Sequence, residues 1–178
     1  MAKFSQTLLS LDYHRRLNIP ILIARPFNIV GPGISETLLL GAVLKKAFEA
    51  ARDGASTIEV GNVDSWRDFV GVGEVARSLE GVMSRGVPGD IYNICLGTSV
   101  PIRWLIEKTL GSFPRKLSYQ SNPSPVRTAD PARIYGDPSK INALLGTPIE
   151  NTLEGEIERA WDHVAAKSGF HADQGSPR

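Results

Sequence analysis

The chain has 178 residues, of which 42% are hydrophobic and 22% charged, and its 20 Lys and Arg against 19 Asp and Glu leave a formal net charge of +1. This length suffices to bury a core, and the balanced charge excludes a protein that binds nucleic acid non-specifically through a broad basic field. The single cysteine predicts no internal disulfide, and the scattered histidines predict no metal site. The apolar runs are too short to cross a bilayer, and the first residues lack the features of a secretory signal. We therefore expect a cytoplasmic protein without a membrane partner.

The first third of the chain alternates between helical and extended patterns. Residues 4–17 place Phe4, Leu8, Leu11 and Arg15 on one stripe, as in an amphipathic helix. The segments that follow are predicted, in chain order, as a buried apolar strand (21–24), a loop with Pro and Gly (25–33), a long helix (36–52) and a strand (57–60).

The rest of the chain continues this alternation. Residues 72–82 keep helical spacing, with Gly71 as the cap and Glu74 placed to complete a capping box. Asp137 and Pro138 predict the start of a later helix. The other predicted segments are a strand (90–95), a helix (102–110), a long polar loop (121–131) and a last amphipathic helix (153–164). Strands and helices of these lengths predict an α/β architecture.

Four groups of motif residues lie in or beside the predicted loops. They are Lys3 with Arg25-Pro26-Phe27-Asn28 and Gly31-Pro32-Gly33; Gly61-Asn62 with Arg67-Asp68-Phe69-Val70; Asp90-Ile91-Tyr92-Asn93; and Arg127 with Gly136-Asp137-Pro138-Ser139-Lys140. In this order the sequence resembles the C-terminal part of the extended short-chain dehydrogenase/reductases, the NAD-dependent epimerase/dehydratase family. The run Gly61-Asn62-Val63-Asp64 is most similar to the members that act on GDP-sugars, GDP-mannose 4,6-dehydratase and the reductase of its 4-keto-6-deoxy product.

The resemblance implies a fold and an activity. The fold would be the C-terminal part of an extended Rossmann-type fold with the substrate-binding subdomain over residues 1–168, followed by a polar tail at 169–178. The activity would be that of a nucleotide-sugar epimerase, dehydratase or reductase that uses NAD or NADP and a GDP-linked substrate.

The same resemblance implies that part of the catalytic machinery is missing from these residues. Family members hold the cofactor pyrophosphate on a Gly-rich turn, which this sequence does not contain. Their catalytic pair is Tyr-x-x-x-Lys, and with Lys3 as the lysine the tyrosine falls two residues before Met1. We therefore expect a truncated substrate-binding half that is inactive alone and that self-associates, as a homo-oligomer or through its exposed truncated face.

By resemblance, Lys3 is the catalytic lysine that holds the nicotinamide ribose, and Pro26 and Phe27 border the cofactor. Asn28 binds the substrate, and Asn62 binds its sugar or base. Simpler interpretations stay open for each of them. Lys3 is also an ordinary exposed lysine near a terminus, while an asparagine after Phe or Gly commonly caps a turn.

Arg67 and Arg127 have a chemical reason to be arginine, since a planar guanidinium binds phosphate oxygens with two hydrogen bonds. By resemblance both grip the diphosphate of the nucleotide sugar. The alternative for Arg67 is an ion pair with Asp64 or Asp68. The alternative for Arg127 is an ion pair with Asp130.

The remaining polar and aromatic residues are given structural roles. His14 is expected in solvent and Cys95 in the core. The tryptophans are expected to pack, with Trp66 beside Arg67 as a possible exception that stacks on a base.

Two glycines depart from the family pattern. Gly71 and Gly73 replace the Asp and the longer residue that are usual there, which predicts a weakened helix start and fits relaxed selection. Two other functional classes stay open: a nucleotide-sugar-binding pseudoenzyme, and a subunit that pairs with a separate cofactor-binding half.

Overall fold

The computed structural model describes residues 2–122 and 131–169. Within them the helices are α1 (Ala2–Leu17), α2 (Leu39–Asp53), α3 (Val72–Arg85), α4 (Ile102–Gly111), α5 (Ser139–Leu145) and α6 (Leu153–Ser168). The strands are β1 (Ile23–Pro26), β2 (Asn28–Val30), β3 (Thr57–Val60), β4 (Trp66–Arg67), β5 (Phe69–Gly71), β6 (Ile91–Ile94), β7 (Val100–Pro101), β8 (Ser118–Ser121) and β9 (Arg133–Ile134). The predicted tail at 169–178 lies outside the described residues except for Gly169, which caps α6.

The described strands form short and mostly parallel pairs. β1 pairs in parallel with β6, β2 with β5, and β3 with β8. β4 lies between antiparallel β7 and parallel β9. Parallel strands need long crossover connections, and here those connections contain the helices. The predicted α/β architecture is confirmed.

Two hydrophobic cores hold these elements together. The first joins α2, α4 and α6 around Leu44, Ile106 and Ile157, each at most 1% exposed. The second joins α3, α5 and β6 around Ile94 and Ile141, which are fully buried. Burial of each such side chain contributes about 1.5–3 kcal/mol. The cores therefore fix the strands whose ends carry the motif residues.

Several predicted boundaries are wrong. The strand predicted at 21–24 is β1 (Ile23–Pro26), and the last helix, predicted at 153–164, continues to Ser168. The predicted loop at 25–33 is partly extended, because the chain continues in β1 and β2 and pairs with β6 and β5. The helix predicted from residue 36 begins at Leu39, because a turn precedes it in which the Leu38 N–H donates to the Ser35 carbonyl at 3.0 Å.

The first helix lies on the surface with little cover. The predicted boundaries of α1 are nearly right, but its predicted apolar stripe is not the side that packs. Phe4 is 64% and Leu8 52% exposed, and Leu11 is the one apolar residue of that stripe that is half-buried. Thr7 and His14 are also half-buried and form its inward face. Hydrophobic periodicity failed here because apolar residues occur on more than one side of α1.

The start of α3 also differs from the prediction. Gly71 is its N-cap residue, as expected, and makes no side-chain capping bond. Glu74 does not complete a capping box, because its carboxylate accepts hydrogen bonds from Arg77 at 2.5 Å and from the Glu150 N–H at 3.0 Å. The N-terminus of α3 is therefore capped from elsewhere in the fold.

The start of α5 lies one residue later than the predicted start, in which Asp137 caps and Pro138 opens the helix: Pro138 is the N-cap and the helix begins at Ser139. Asp137 Oδ1 accepts hydrogen bonds from the Ser139 N–H at 2.9 Å and from its hydroxyl at 2.6 Å. These bonds lower the pKa of the Asp137 carboxyl. The helix ends at Gly146, whose φ of 76° is left-handed.

Candidate functional site

The motif Arg25-Pro26-Phe27-Asn28 spans the junction between β1 and β2. The Phe27 N–H donates to the Ile94 carbonyl at 3.0 Å, and the Asn28 N–H donates to the Asp68 carbonyl at 3.2 Å. The motif thus leaves one strand pair and enters the next between Pro26 and Asn28. This change of partner strand exposes Asn28 at the surface while the flanking chain stays fixed.

The side chain of Asn28 binds the same carbonyl group. Its Nδ2 donates to the Asp68 oxygen at 2.7 Å. The amide oxygen remains as an acceptor for a ligand hydroxyl or N–H, because a carboxamide offers both functions. The side chain of Asn28 thus bonds to a distant segment instead of capping a turn of its own backbone, and its proposed contact with the substrate stays a prediction.

Asp68 is the centre of the candidate site, and the sequence analysis considered it only as an ion-pair partner. It is fully buried, with 0% exposure. Its Oδ1 accepts from the Leu96 N–H at 2.9 Å, and its Oδ2 accepts from the Gly97 N–H at 3.0 Å and the Gly136 N–H at 3.2 Å. One carboxylate therefore joins β5 to the loops that follow β6 and β9.

The electrostatics of Asp68 reflect two opposing causes. Burial raises the pKa of its carboxyl above the ordinary value, while the three backbone hydrogen bonds oppose this by favouring the ionised form. A buried acceptor-only carboxylate needs donors to offset desolvation. A sequence signal existed, since an aspartate directly before the apolar pair Phe69-Val70 requires buried partners.

Gly136 belongs to the same cluster. A Cβ at this position would lie 2.6 Å from both the Cys95 Sγ and the Phe27 ring, so only glycine allows the contact. Cys95 is fully buried, as predicted, and burial followed by the charge of Asp68 raises the pKa of its thiol to about 11. The cysteine is therefore a packing residue, and one edge of the half-buried Phe27 ring packs beside it, while the proposed contact of Phe27 with the cofactor stays a prediction.

Lys3 lies exposed in the first turns of α1, and a short hydrogen-bond chain links that turn to the motif. Arg25 Nη2 donates to Thr7 Oγ1 at 3.1 Å, and Thr7 Oγ1 donates to the Lys3 carbonyl at 3.1 Å. This link was not predicted from the sequence. It places the backbone of Lys3 within reach of the end of β1.

Arg67 is half-buried and reaches the segment that precedes β9. Its Nη1 donates to the carbonyl oxygens of Trp66 at 2.8 Å and Pro131 at 3.0 Å. Asp64 forms an ion pair with Arg103. Both carboxylates proposed as alternative partners of Arg67 thus bind other groups, since Asp68 holds backbone amides.

Arg127 and Asp130 lie outside the described residues. The proposed role of Arg127 therefore stays a prediction. The described chain resumes at Pro131, whose carbonyl accepts from Arg67. The C-terminal end of the long polar loop is thus tied to Arg67.

Asn62 forms a local turn. Its Oδ1 accepts from the Asp64 N–H at 2.9 Å, and its Nδ2 donates to Ser65 Oγ at 3.3 Å. The ordinary turn that the sequence offered as an alternative is present. The proposed contact between Asn62 and a ligand stays a prediction.

The tryptophans separate into two groups. Trp161 packs against Phe48 with ring centroids 5.7 Å apart, and Trp104 packs on the same core. Trp66 is 39% exposed, and the Arg133 guanidinium lies 5.1 Å from its ring centroid. Packing is confirmed for the first group, while a stacking role for Trp66 stays a prediction.

His14 is not in solvent, contrary to the prediction. Its Nδ1 lies 2.7 Å from the Ile19 carbonyl oxygen, which requires this nitrogen to donate. A Cβ on Gly89 would lie 2.7 Å from its Nε2. The ring therefore fixes the end of α1 against the turn before β6.

The arrangement as a whole brings Asn28, Asp68 and Arg67 together, with Lys3 joined to it through Arg25. Among residues 2–122 and 131–169, no three His, Cys, Asp or Glu side chains converge as metal ligands. In the same residues no helix has the length and hydropathy needed to span a membrane. The site offers amide and guanidinium groups, which suit sugar hydroxyls and phosphate oxygens.

Comparison with known proteins decides the family. The sequence model of the family described as GDP-mannose 4,6 dehydratase matches residues 1–159. The chain belongs to this family. Its resemblance to the extended short-chain dehydrogenase/reductases, inferred from the four motif groups, is confirmed.

Two curated relatives act on GDP-linked sugars. The chain is 30% identical over 138 residues to GDP-6-deoxy-D-mannose reductase of Pseudomonas aeruginosa. The aligned stretch covers 77% of this chain and 45% of that protein. It is 29% identical over 132 residues to GDP-6-deoxy-D-talose 4-dehydrogenase of Aggregatibacter actinomycetemcomitans. That aligned stretch covers 74% of this chain and 44% of the relative. The chain thus spans about half the length of the curated relatives that it matches.

Solved structures show the same fold. The structure of RMD from Pseudomonas aeruginosa complexed with NADPH matches with a TM-score of 0.82 and 26% identity, over 93% of this chain and 55% of that chain. The epimerase Mth375 from Methanothermobacter thermautotrophicus matches with a TM-score of 0.80 at 18% identity, over 92% and 48%. The expected fold, the C-terminal part of an extended Rossmann-type protein, is confirmed.

Proposed function

We propose that this chain forms the nucleotide-sugar-binding part of an enzyme that uses NAD or NADP to dehydrate, reduce or epimerise a GDP-linked sugar. The observation that supports the proposal is the junction at Asp68, whose carbonyl accepts hydrogen bonds from the Asn28 N–H and Nδ2 and which directly follows Arg67 in the chain. Asn28 would bind a sugar hydroxyl, and Arg67 with Arg127 would bind the diphosphate. The two curated relatives that act on GDP-sugars support GDP as the nucleotide.

The cofactor side of the site would be formed by α1 and the end of β1. Lys3 would hold the nicotinamide ribose, with Pro26 and Phe27 bordering the ring. The link from Arg25 through Thr7 to the Lys3 carbonyl supports this placement, because it fixes the first turns of α1 beside the motif. The NADPH in the related Pseudomonas aeruginosa structure supports a nicotinamide cofactor.

The exposed apolar side of α1 supports an interaction surface. We use the name α1 face for the whole solvent-exposed side of this helix. Its apolar residues are each between 47% and 64% exposed: Phe4, Leu8, Leu9, Tyr13 and Leu17. Surfaces of this kind mark contacts with another chain or domain. We propose that polypeptides of these residues self-associate through the α1 face, and that the protein acts in the cytoplasm.

A binding-only protein is the second candidate function. It is supported by the proposed diphosphate contacts, Arg67 and Arg127, which both lie within these residues. Binding of GDP without turnover of a GDP-sugar fits this candidate and a substrate-binding half equally. Co-purification with a cofactor-binding chain would distinguish a subunit from both.

Thermal shift with nucleotides tests the proposal. Ligands that bind only the folded state raise its midpoint by mass action. We expect millimolar GDP and GDP-mannose to raise the midpoint more than UDP, dTDP or free NADP. A rise of the midpoint with NADP and none with GDP would assign the site at Asn28 and Arg67 to the cofactor instead. Equal rises with all nucleotides would contradict the preference for GDP.

A further inference from the structure

A buried carboxylate lies at the N-terminus of α3, away from Asp68. Glu156, in the first turn of α6, is 2% exposed. Its Oε1 accepts from the Gly73 N–H at 3.3 Å and pairs with Arg159 Nη2 at 2.9 Å. Its Oε2 is buried and has no hydrogen-bond partner among the described residues. Burial of a carboxylate is costly unless hydrogen bonds and a positive charge offset its desolvation.

Three glycines surround this carboxylate, and we call them the glycine cradle: Gly31, Gly71 and Gly73. A Cβ on Gly31 would lie 2.8 Å from Glu156 Oε2, and one on Gly71 would lie 2.9 Å from Glu156 Cγ and against Thr152 Oγ1. A Cβ on Gly73 would lie 3.4 Å from Glu156 Oε1. Side chains at Gly31 and Gly71 are thus incompatible with the present position of Glu156.

The glycine cradle has the geometry of an anion site. Gly71 ends β5, which runs parallel to β2 with Val30 opposite Gly71, and α3 starts directly after it. Parallel α/β folds bind anions at the carboxyl ends of strands, where a helix N-terminus supplies N–H groups and a positive dipole end. Here the anion at that position belongs to the chain itself.

The hydrogen bond to Gly73 is the one that an N-cap side chain normally makes. An N-cap residue accepts from the N–H two or three positions later. With Gly71 at the N-cap, Gly73 lies two positions later, and Glu156 supplies the acceptor from α6. Gly71 therefore has a packing reason to be glycine, whereas a Cβ on Gly73 would make only an ordinary contact with Glu156. The helix start that the sequence predicted to be weakened receives its acceptor from this distant residue.

We propose that Glu156 is an internal anionic ligand, which occupies the glycine cradle and so anchors α6 to α3 and to the ends of β2 and β5. Glu156 is a positioning residue rather than a catalytic one. The same strand β2 begins at Asn28, so the anchor holds the strand that carries the candidate substrate contact. Only this last consequence rests on the proposed function.

Chemical rescue tests the proposal on the full chain without any nucleotide. Glu156→Ala removes the anion and leaves the cradle open. We expect the thermal midpoint to fall by roughly 4–8 °C. Added formate should restore at least half of that loss, whereas formamide, which has the same shape without the charge, and chloride at equal ionic strength should not.

Glu154→Ala provides the matched control. Glu154 lies two residues away on α6, is exposed, and pairs with Lys108. Exposed ion pairs contribute little, so its midpoint should stay within about 1–2 °C of the wild type and should not respond to formate.

Glu156→Gln keeps the test decisive if Glu156→Ala fails to fold. It preserves size and one acceptor but removes the charge, so we expect a lower midpoint than the wild type that formate does not change. A Glu156→Gln variant as stable as the wild type, or equal effects of formate and formamide on Glu156→Ala, would overturn the proposal. Because no nucleotide is present, these outcomes are independent of whether the chain binds GDP.

Discussion

At the scale of single residues, the candidate site depends on Asp68 more than on the residues that would touch a ligand. Its carboxylate receives backbone N–H groups from two loops, and its carbonyl receives both the N–H and the Nδ2 of Asn28. A carboxylate is suited to this position because it only accepts hydrogen bonds. An asparagine would direct an NH₂ group at one or two backbone donors.

We therefore predict that Asp68→Asn lowers the free energy of unfolding by about 2–4 kcal/mol, because buried donors lose their acceptor. Urea denaturation followed by tryptophan fluorescence measures this change. Asp64→Asn is the control: its side chain is 74% exposed and pairs with Arg103, so its cost should stay below about 1 kcal/mol. Equal stabilities of the two variants would show that Asp68 is not the anchor of the site.

The sequence revealed the chemical types at the site but not the residue that assembles them. Asn28 and Arg67 could be proposed as site residues because their motifs are local in sequence. Asp68 and Gly136 were missed as a pair because their contact joins residues separated by 68 positions. Glu156 was missed for the same reason, since helix periodicity treats it as one more position on α6.

At the scale of elements, the attachment of α1 determines whether Lys3 can serve the site. The described contacts at its two ends are the link from Arg25 to Thr7 and the contact of His14 with the Ile19 carbonyl. Both are polar, and the apolar side chains of the α1 face point elsewhere. Periodicity predicted the helix correctly, but it could not identify a packing face formed by Thr7 and His14.

We predict that Thr7→Val loosens the N-terminal turns of α1. The variant keeps the shape of the side chain but removes the oxygen that connects Arg25 to the Lys3 carbonyl. Loss of one partly exposed hydrogen bond, about 0.5–1.5 kcal/mol, should speed amide exchange in these turns by roughly 2–10-fold. Hydrogen–deuterium exchange measures this rate.

Ser10→Ala is the control for that measurement. Its hydroxyl donates to the Gln6 carbonyl within α1. Exchange in α1 should stay close to the wild-type rate. If both variants exchange alike, the link to Arg25 does not hold the helix.

At the scale of the whole molecule, two hydrophobic cores hold the described elements together, and the first helix lies outside both. Both hydrophobic cores lie among α2 to α6 and their strands, and α1 belongs to neither of them in the described residues. The motif order predicted the fold and family because it extends over nearly the whole chain. The same motifs cannot show which partner covers α1, since that depends on surface rather than on local spacing.

We predict that polypeptides of residues 1–178 self-associate through the α1 face at micromolar concentrations. Phe4→Gln with Leu8→Gln should shift the species towards monomer in analytical ultracentrifugation, because it removes apolar area from the contact. Met83→Gln is the control, as Met83 is 80% exposed on α3. A wild type that sediments as a monomer at every concentration would contradict this use of the α1 face.

Calorimetric titration of GDP into the wild type and Arg67→Ala tests the central claim most directly. We predict wild-type binding in the micromolar-to-millimolar range, weaker at high salt, with a loss of about 10-fold or more in Arg67→Ala and in Arg127→Ala. Arg67→Lys should retain part of the affinity. Arg115→Ala, which removes an arginine that donates to the Gly54 carbonyl, should bind as the wild type does. Equal GDP affinity in the wild type, Arg67→Ala and Arg127→Ala, or no binding by the folded wild type, would contradict the assignment of a nucleotide-sugar site to this chain.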